Sequence, residues 1–293
     1  MSERLEGTIE RINGSLIVGK FKAEPNMGDL IEVGNLKLMG EIVRLSEETA
    51  YIQCYESTAG VKPGEPVVDI GTPLVAELGP GIMGQIVDGV ERSETQLWDL
   101  TGPFITRGTN IAPLDREKKW KFEPLVKPGD HVSGGDFIGQ VQETESFVHK
   151  IMIPPDQSGT IKSIEEGEFT VVDPVGVLET EDGDVDLKMM QVWPVRQGRP
   201  IKERLALSQP LITGQRVIDT FFPCAKGGAS AIPGGFGTGK TVTLQQIAKW
   251  SDADIIVYIG CGERGNEMAD VVEQFPEIED PRTVRNSSSV QSS

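Results

Sequence analysis

The chain is poor in residues that staple, ligate or span. Its three cysteines, Cys54, Cys224 and Cys261, are an odd number at wide spacing, which argues against a disulfide framework or a zinc cluster. Reduced, packed thiols are expected. Only two histidines are present, His131 and His149, and neither lies in an HxxxH or HExxH pattern, so no metal site is expected from them. No apolar run approaches the roughly 20 residues of a bilayer span, and residues 1–10 alternate charge where a signal peptide would be apolar. A soluble, cytosolic chain is the expectation. Basic charge is also short: 28 Lys and Arg face 45 Asp and Glu, a formal net charge of -17, which repels phosphate backbones and argues against a nucleic-acid partner.

What is present divides into segments, and 293 residues are enough for two or three domains. Between residues 5 and 68, short alternating stretches at 16–18, 30–33, 36–45 and 51–55 are separated by the turn pairs Asn13-Gly14, Gly28-Asp29 and Gly34-Asn35. Residues 1–71 therefore read as an N-terminal β-barrel. Residues 61–73 and 78–84 read as a Pro/Gly-rich connector, with a short helix expected around 85–89, inside a segment 72–110. Residues 111–192 hold short strands punctuated by Pro128-Gly129-Asp130, Gly134-Gly135-Asp136, Pro154-Pro155 and Asp182-Gly183-Asp184, with no helical period, and read as an all-β insertion. Within it, residues 126–141 resemble the hammerhead strands of biotinyl and lipoyl carriers, which present a modified lysine on a hairpin tip. Lys150 and Lys188 lack that tip context, so the likeness favours a structural use.

From residue 211 the pattern changes. An apolar strand at 229–232, a Gly-rich loop, a helix at 241–250 and a strand at 255–259 make a βαβ unit. A second helix is expected over 266–275, with Met268, Val271, Val272 and Phe275 at helical spacing, Asn266 as N-cap and Pro276 as its stop. The α/β unit takes residues 193–285, and the polar stretch 286–293 reads as a disordered tail.

Gly234, Gly235, Phe236, Gly237, Thr238, Gly239, Lys240 and Thr241 match G-x-x-x-x-G-K-[ST], the loop whose backbone N–H groups curl around phosphate at a helix N-terminus. Lys240 would place a point charge on the β and γ phosphates, and the Thr241 hydroxyl would ligate Mg²⁺ bridging them. Such an octapeptide arises by chance in about one to a few chains per hundred; strand before and helix after decide for function. A second motif, residues 260–267, leaves the next strand on the edge where α/β folds bind ligands. Glu263 there can orient or deprotonate an attacking water, and Arg264 can offset charge on the transferring phosphoryl. By itself a Glu-Arg pair in a loop is usually a surface ion pair. Glu267 reads as a first-turn residue complementing the helix dipole.

Residues 210–219 (PLITGQRVID), the P-loop, GCGERGNEM, residues 77–92 and residues 112–122 together resemble the catalytic A subunit of archaeal and vacuolar-type rotary ATPases. The resemblance runs from the N-terminus to about Arg282. It implies a multidomain chain: β-barrel, bulge insertion, RecA-like P-loop domain and, further on, a helical domain. It also implies ATP or ADP with Mg²⁺ as ligands and Glu263 as the catalytic carboxylate. The implied partners are B subunits in an alternating A3B3 hexamer, with central-stalk rotor and peripheral-stalk subunits. The chain would then sit at the cytoplasmic face of the cell membrane, peripheral to it and attached only through the complex. Phe236 fits the A-subunit pattern, whereas Thr238 stands where the eukaryotic vacuolar pattern has Cys. The family's Walker B aspartate lies beyond the last residue here, so the resemblance implies a C-terminally truncated A subunit. The neighbouring B subunit supplies the arginine finger, a contribution of about 10³ to 10⁵ in rate. Two alternatives stand beside this reading: a catalytically inactive fragment that binds nucleotide or subunits, or another RecA-type hexameric motor.

Overall fold

Four turns built alike shape the β-rich part of the chain. At 26–29, 127–130, 133–136 and 170–173 the closing aspartate accepts the N–H of the opening residue, from Asn26, Lys127, Ser133 and Thr170 at 3.3, 2.8, 2.8 and 2.8 Å. Gly28, Gly129 and Gly135 precede three of these aspartates at φ 84°, 94° and 92°, left-handed backbone that glycine adopts without a Cβ clash. The computed structural model describes residues 4–274 except 48, 146, 202 and 236. They fall into two compact units, Met1–Pro200 and Ile201–Ser293, each taken by itself below.

The first unit opens with a closed antiparallel barrel of β1 (Glu6–Asn13), β2 (Leu16–Phe21), β3 (Asp29–Val33), β4 (Leu38–Ser46), β5 (Thr49–Cys54) and β6 (Pro66–Pro73), ordered β1-β2-β5-β4-β3-β6. Ile17, Ile31, Val33, Leu38, Ile52 and Val67 fill it and are fully buried. β6 corrects the expected connector at 61–73: closure requires one strand to pair with both β1 and β3, and β6 does so. Pro66 and Pro73 fall at its ends, where a missing N–H breaks no central ladder bond.

After β7 (Val75–Leu78) the chain forms α1 (Glu94–Thr101), which displaces the helix expected at 85–89. Ser93 caps α1 by accepting from the Gln96 N–H, the Ser-x-x-Gln spacing of a capping box. Residues 88–92 are instead held in a turn, because Asp88 Oδ1 accepts from the N–H groups of Val90 and Arg92 at 3.0 and 2.9 Å.

The insertion follows as β8 (Trp120–Pro124), β9 (His131–Ser133), β10 (Phe137–Gln142), β11 (Val148–Met152), β12 (Ser158–Ile164), β13 (Gly167–Phe169), β14 (Pro174–Thr180) and β15 (Gly183–Lys188). They make two four-stranded sheets, β11-β10-β8-β13 and β15-β14-β12-β9, around a core that includes Phe122, Ile138, Ile153, Ile161 and Leu178. A Cβ at Gly139 would collide with the Phe122 ring, so glycine there lets β8 and β10 approach. β16 (Gln191–Pro194) then returns to pair with β7.

The second unit contains β17 (Pro210–Leu211), α2 (Arg216–Phe221), β18 (Cys224–Ala225), α3 (Lys240–Trp250) and α4 (Gly265–Gln274). The strands expected at 229–232 and 255–259 are absent from the described ladders, where only β17 and β18 pair. Parallel strands are stable when covered on both faces and flanked by bonded neighbours, and here Val257 and Ile259 are 79% and 82% exposed. Val271 is the one buried hydrophobic among this unit's described residues. No helix among the described residues is long and apolar enough to cross a membrane. The readings at Phe275, Pro276 and 286–293 lie outside the described residues.

Candidate nucleotide site

The glycine-rich loop closes on itself before it meets α3. Lys240 Nζ donates to the Gly234 carbonyl at 2.6 Å, and Thr238 Oγ1 donates to the Gly235 carbonyl at 2.8 Å. Gly237 and Gly239 stand at φ 76° and 82°, a geometry that a side-chain-bearing residue resists. Gly239 is the N-cap of α3 and brings no capping side chain, and no acidic residue occupies the helix's first turn. Thr243 folds back on the cap, its N–H and hydroxyl both donating to the Gly239 carbonyl at 2.9 and 2.8 Å. The result is a helix N-terminus whose first N–H groups lack a side-chain partner, next to an exposed ammonium: an anion site by both criteria. Phe236 lies outside the described residues.

The second motif sits at the N-terminus of α4. A Cβ at Gly260 would strike the Met268 thioether, and Gly262 is left-handed at φ 73°. Gly262 gives the turn its left-handed backbone, and Gly260 leaves room for the Met268 side chain. The first helical bond runs from Met268 N–H to the Arg264 carbonyl at 3.0 Å, so Arg264 holds the cap position and Asn266, expected there, lies inside the first turn. Glu267 is in that first turn, as expected. Glu263 and Arg264 are exposed. Burial, then the charges of Glu263 and Glu267, push the Tyr258 hydroxyl up from its ordinary range. Among the described residues no hydrogen bond or ion pair joins Glu263 to the P-loop.

Two aspartates that the motif reading passed over anchor this unit. Asp219 Oδ1 accepts the N–H and hydroxyl of Thr213 at 2.9 and 2.7 Å, and its Oδ2 accepts the Gly214 N–H at 3.1 Å. The Thr213 hydroxyl, then its N–H, hold the Asp219 carboxyl below the usual range. Asp252, just past α3, accepts the Ile212 N–H at 3.1 Å and pairs with Lys226 at 2.9 Å; the Lys226 bond lowers its carboxyl too. Neither aspartate carries a signal of its own in the sequence, since each takes its role from Thr213 or Lys226, which folding brings to it.

No three His, Cys, Asp or Glu side chains form a metal cage among the described residues. At the start of α3 the Thr241 hydroxyl stands beside Lys240, while the Thr243 hydroxyl is taken by the Gly239 carbonyl. That suits Mg²⁺ arriving with phosphate oxygens and water as its other ligands, as Mg²⁺ usually binds, and not a resident ion.

Three domain families of ATP synthase alpha/beta subunits match the chain in order: the beta-barrel domain over residues 9–71, the barrel-sandwich domain over 111–196 and the nucleotide-binding domain over 214–291. The chain is 53% identical over 279 residues to a V-type ATP synthase alpha chain of Acetivibrio thermocellus, covering 95% of this chain and 47% of that one. It is 52% identical over 286 residues to the A subunit of the A-type ATP synthase of Thermofilum pendens, covering 97% and 48%. To the same subunit of the Methanosphaera stadtmanae A-type enzyme it is 53% identical over 280 residues, covering 95% and 48%. The chain thus spans about half the length of the curated relatives it matches.

Proposed function

We propose that this chain, which belongs to the ATP synthase alpha/beta family, serves as the nucleotide-binding catalytic subunit of an A/V-type rotary ATPase. In that role it makes ATP from ADP and phosphate under an ion gradient, or hydrolyses ATP to pump ions. The observation that carries the reading is the loop from Gly234 to Thr241 seated on the uncapped N-terminus of α3. Gly234, Gly235, Phe236, Gly237, Thr238 and Gly239 line the phosphate cradle. Lys240 releases the Gly234 carbonyl to meet the β and γ phosphates, and Thr241 offers its hydroxyl to Mg²⁺. Mg²⁺ bound with the nucleotide supplies charge neutralisation at those phosphates. Glu263 positions or deprotonates the attacking water in hydrolysis, and Arg264 offsets phosphoryl charge.

The same reading divides the chain at residues 71, 110, 192 and 285. It places the chain beside B subunits in an alternating A3B3 hexamer, with central-stalk and peripheral-stalk subunits, at the cytoplasmic face of the membrane. The test is mutational. Lys240→Ala should weaken Mg-ADP binding by at least about tenfold, the loss of a charge-assisted contact. Glu263→Gln, in a complex with B subunits, should keep binding and lose turnover; retained turnover removes Glu263 from the chemistry. The unladdered segments at 229–232 and 255–259 favour a second reading, in which the chain alone binds nucleotide without turning over. Mg-ATP binding and hydrolysis measured side by side on this chain separate the two.

A further inference from the structure

The insertion is joined to the rest of the first unit by a narrow ribbon. β7 and β16 pair over four residues, Gln191 to Leu78 through Pro194 to Val75, and two-stranded ribbons are weak structures by themselves. Leu114 and Trp120 of the insertion also pack against Gly79 and Gly81, and a polar attachment lies at the β10–β11 hairpin. Glu143, just past β10, is 2% exposed at its side chain. Its Oε1 accepts the N–H groups of Gly81 at 2.7 Å and Met83 at 3.0 Å, and its Oε2 meets His149 Nδ1 at 2.6 Å. Gly81 stands at φ 104°, which turns its N–H and that of Met83 toward one point, an anion-binding nest of backbone donors. Burial alone would raise the Glu143 carboxyl, yet the His149 bond and the two N–H groups hold it below its usual range. Glu143 is thus turned inward and bound, while Thr144 and Glu145 at the hairpin tip are exposed.

We propose that the β7–β16 ribbon is a hinge for the insertion and that Glu143 is its latch, closed on the 80–84 connector. A buried carboxylate cannot leave such a nest by degrees: it is either bonded there or hydrated outside, so the hinge has two discrete positions. His149 strengthens the closed position through its Nδ1 contact with the carboxylate, a charge-assisted bond. Arg116 of the insertion pairs with Glu77 of β7 at 2.6 Å, a contact made at the ribbon itself.

The Gly81 and Met83 N–H groups bond to the Glu143 side chain and not to a strand, so their hydrogen exchange reads the latch directly. In the full chain, Glu143→Ala should speed exchange at both by at least about tenfold. The Ile161 amide, which donates to the Asp130 carbonyl at 2.9 Å, and the Leu178 amide of β14 lie within the insertion and should keep their rates. His149→Phe, which leaves the nest intact, should give a smaller rise at residues 81 and 83. Unchanged rates there in both variants overturn the proposal. So does equal acceleration at Ile161 and Leu178, which would make Glu143 a part of the general fold.

Discussion

The insertion and the nucleotide-binding unit contain apolar segments of similar strength and place them in opposite environments. In the insertion, Val141 and Ile161 sit between polar neighbours and, with Ile138, Ile151 and Leu178, disappear between two sheets. In the second unit, Ile255, Ile256, Val257 and Ile259 form a near-continuous run and all are exposed. The difference lies in what each pattern requires. An alternating strand needs one covering sheet, which the insertion makes from its own hairpins; a continuous run needs cover on both faces and neighbours at both edges.

The largest effect that would sharpen this contrast is chemical. Cys54, on the barrel's β5, is buried, and burial, then the nearby Glu56 charge, push its thiol up to about 11. At pH 8 that leaves about one thiolate in a thousand, behind a closed sheet. Cys261 is exposed. A maleimide reagent should therefore label Cys261 within minutes and Cys54 only on unfolding, a ratio of about a thousandfold or more followed by mass spectrometry. Comparable rates would mean that the barrel opens as readily as the second unit.

The next effect is energetic. Phe122 is 0% exposed in the insertion core, and Phe122→Ala should cost about 3–5 kcal/mol from lost burial and the cavity left behind. Ile259→Ala removes a side chain of which little is covered and should change stability by no more than about 0.5 kcal/mol. Because the chain has two units, opening free energies are best read locally, from exchange of β10 and β12 amides for the first and α4 amides for the second. A cost above about 2 kcal/mol for Ile259→Ala would break the comparison, since it would require a covering partner.

These contrasts also explain what was legible in the sequence. The barrel and the insertion could be read because alternation and turn chemistry are local: Asp29, Asp130 and Asp136 announce their turns within four residues. β6 was missed because its prolines resemble a linker unless barrel closure is considered, and α1 because its apolar face is narrow, with Leu97 the only buried position. Its capping box, Ser93 to Gln96, was the available signal. At the candidate site the P-loop was legible as a motif, since its glycines answer to backbone geometry that no other residue meets as well. Whether 229–232 and 255–259 pair as strands was not, because pairing depends on neighbours distant in sequence. The anchors Asp219 and Asp252 were hidden for the same reason: each gains meaning only when the chain brings Thr213 or Lys226 beside it.

The smallest effect tests how the two interiors treat a carboxyl group. Asp69, on β6, is 2% exposed, and Asp29 of β3, facing it, is 5% exposed. Burial pushes the Asp69 carboxyl up; the Gly71 N–H opposes this at 2.8 Å, and the neighbouring Asp29 reinforces it, leaving the group above its ordinary range. The half-buried Asp219 and Asp252 of the second unit move the other way, because the hydrogen bonds to Thr213 and Lys226 outweigh burial there. The linkage has a definite sign. Below the ordinary aspartate value, about 3.9, Asp69 is protonated in both folded and unfolded chains and costs nothing. As pH rises from there through the folded value, the unfolded chain releases its proton first, so stability falls, and above the folded value the loss is complete. Asp69→Asn keeps the acceptor for Gly71 and removes the charge. At pH 7 it should stabilise the barrel by about 0.5–2 kcal/mol and flatten the pH dependence between pH 4 and neutrality, measured by urea unfolding with exchange in β3 and β6 as the local readout. If the variant is less stable than the parent at pH 7, the ionised pair is being stabilised by something other than the groups around it, and the barrel's interior is less apolar than its packing implies.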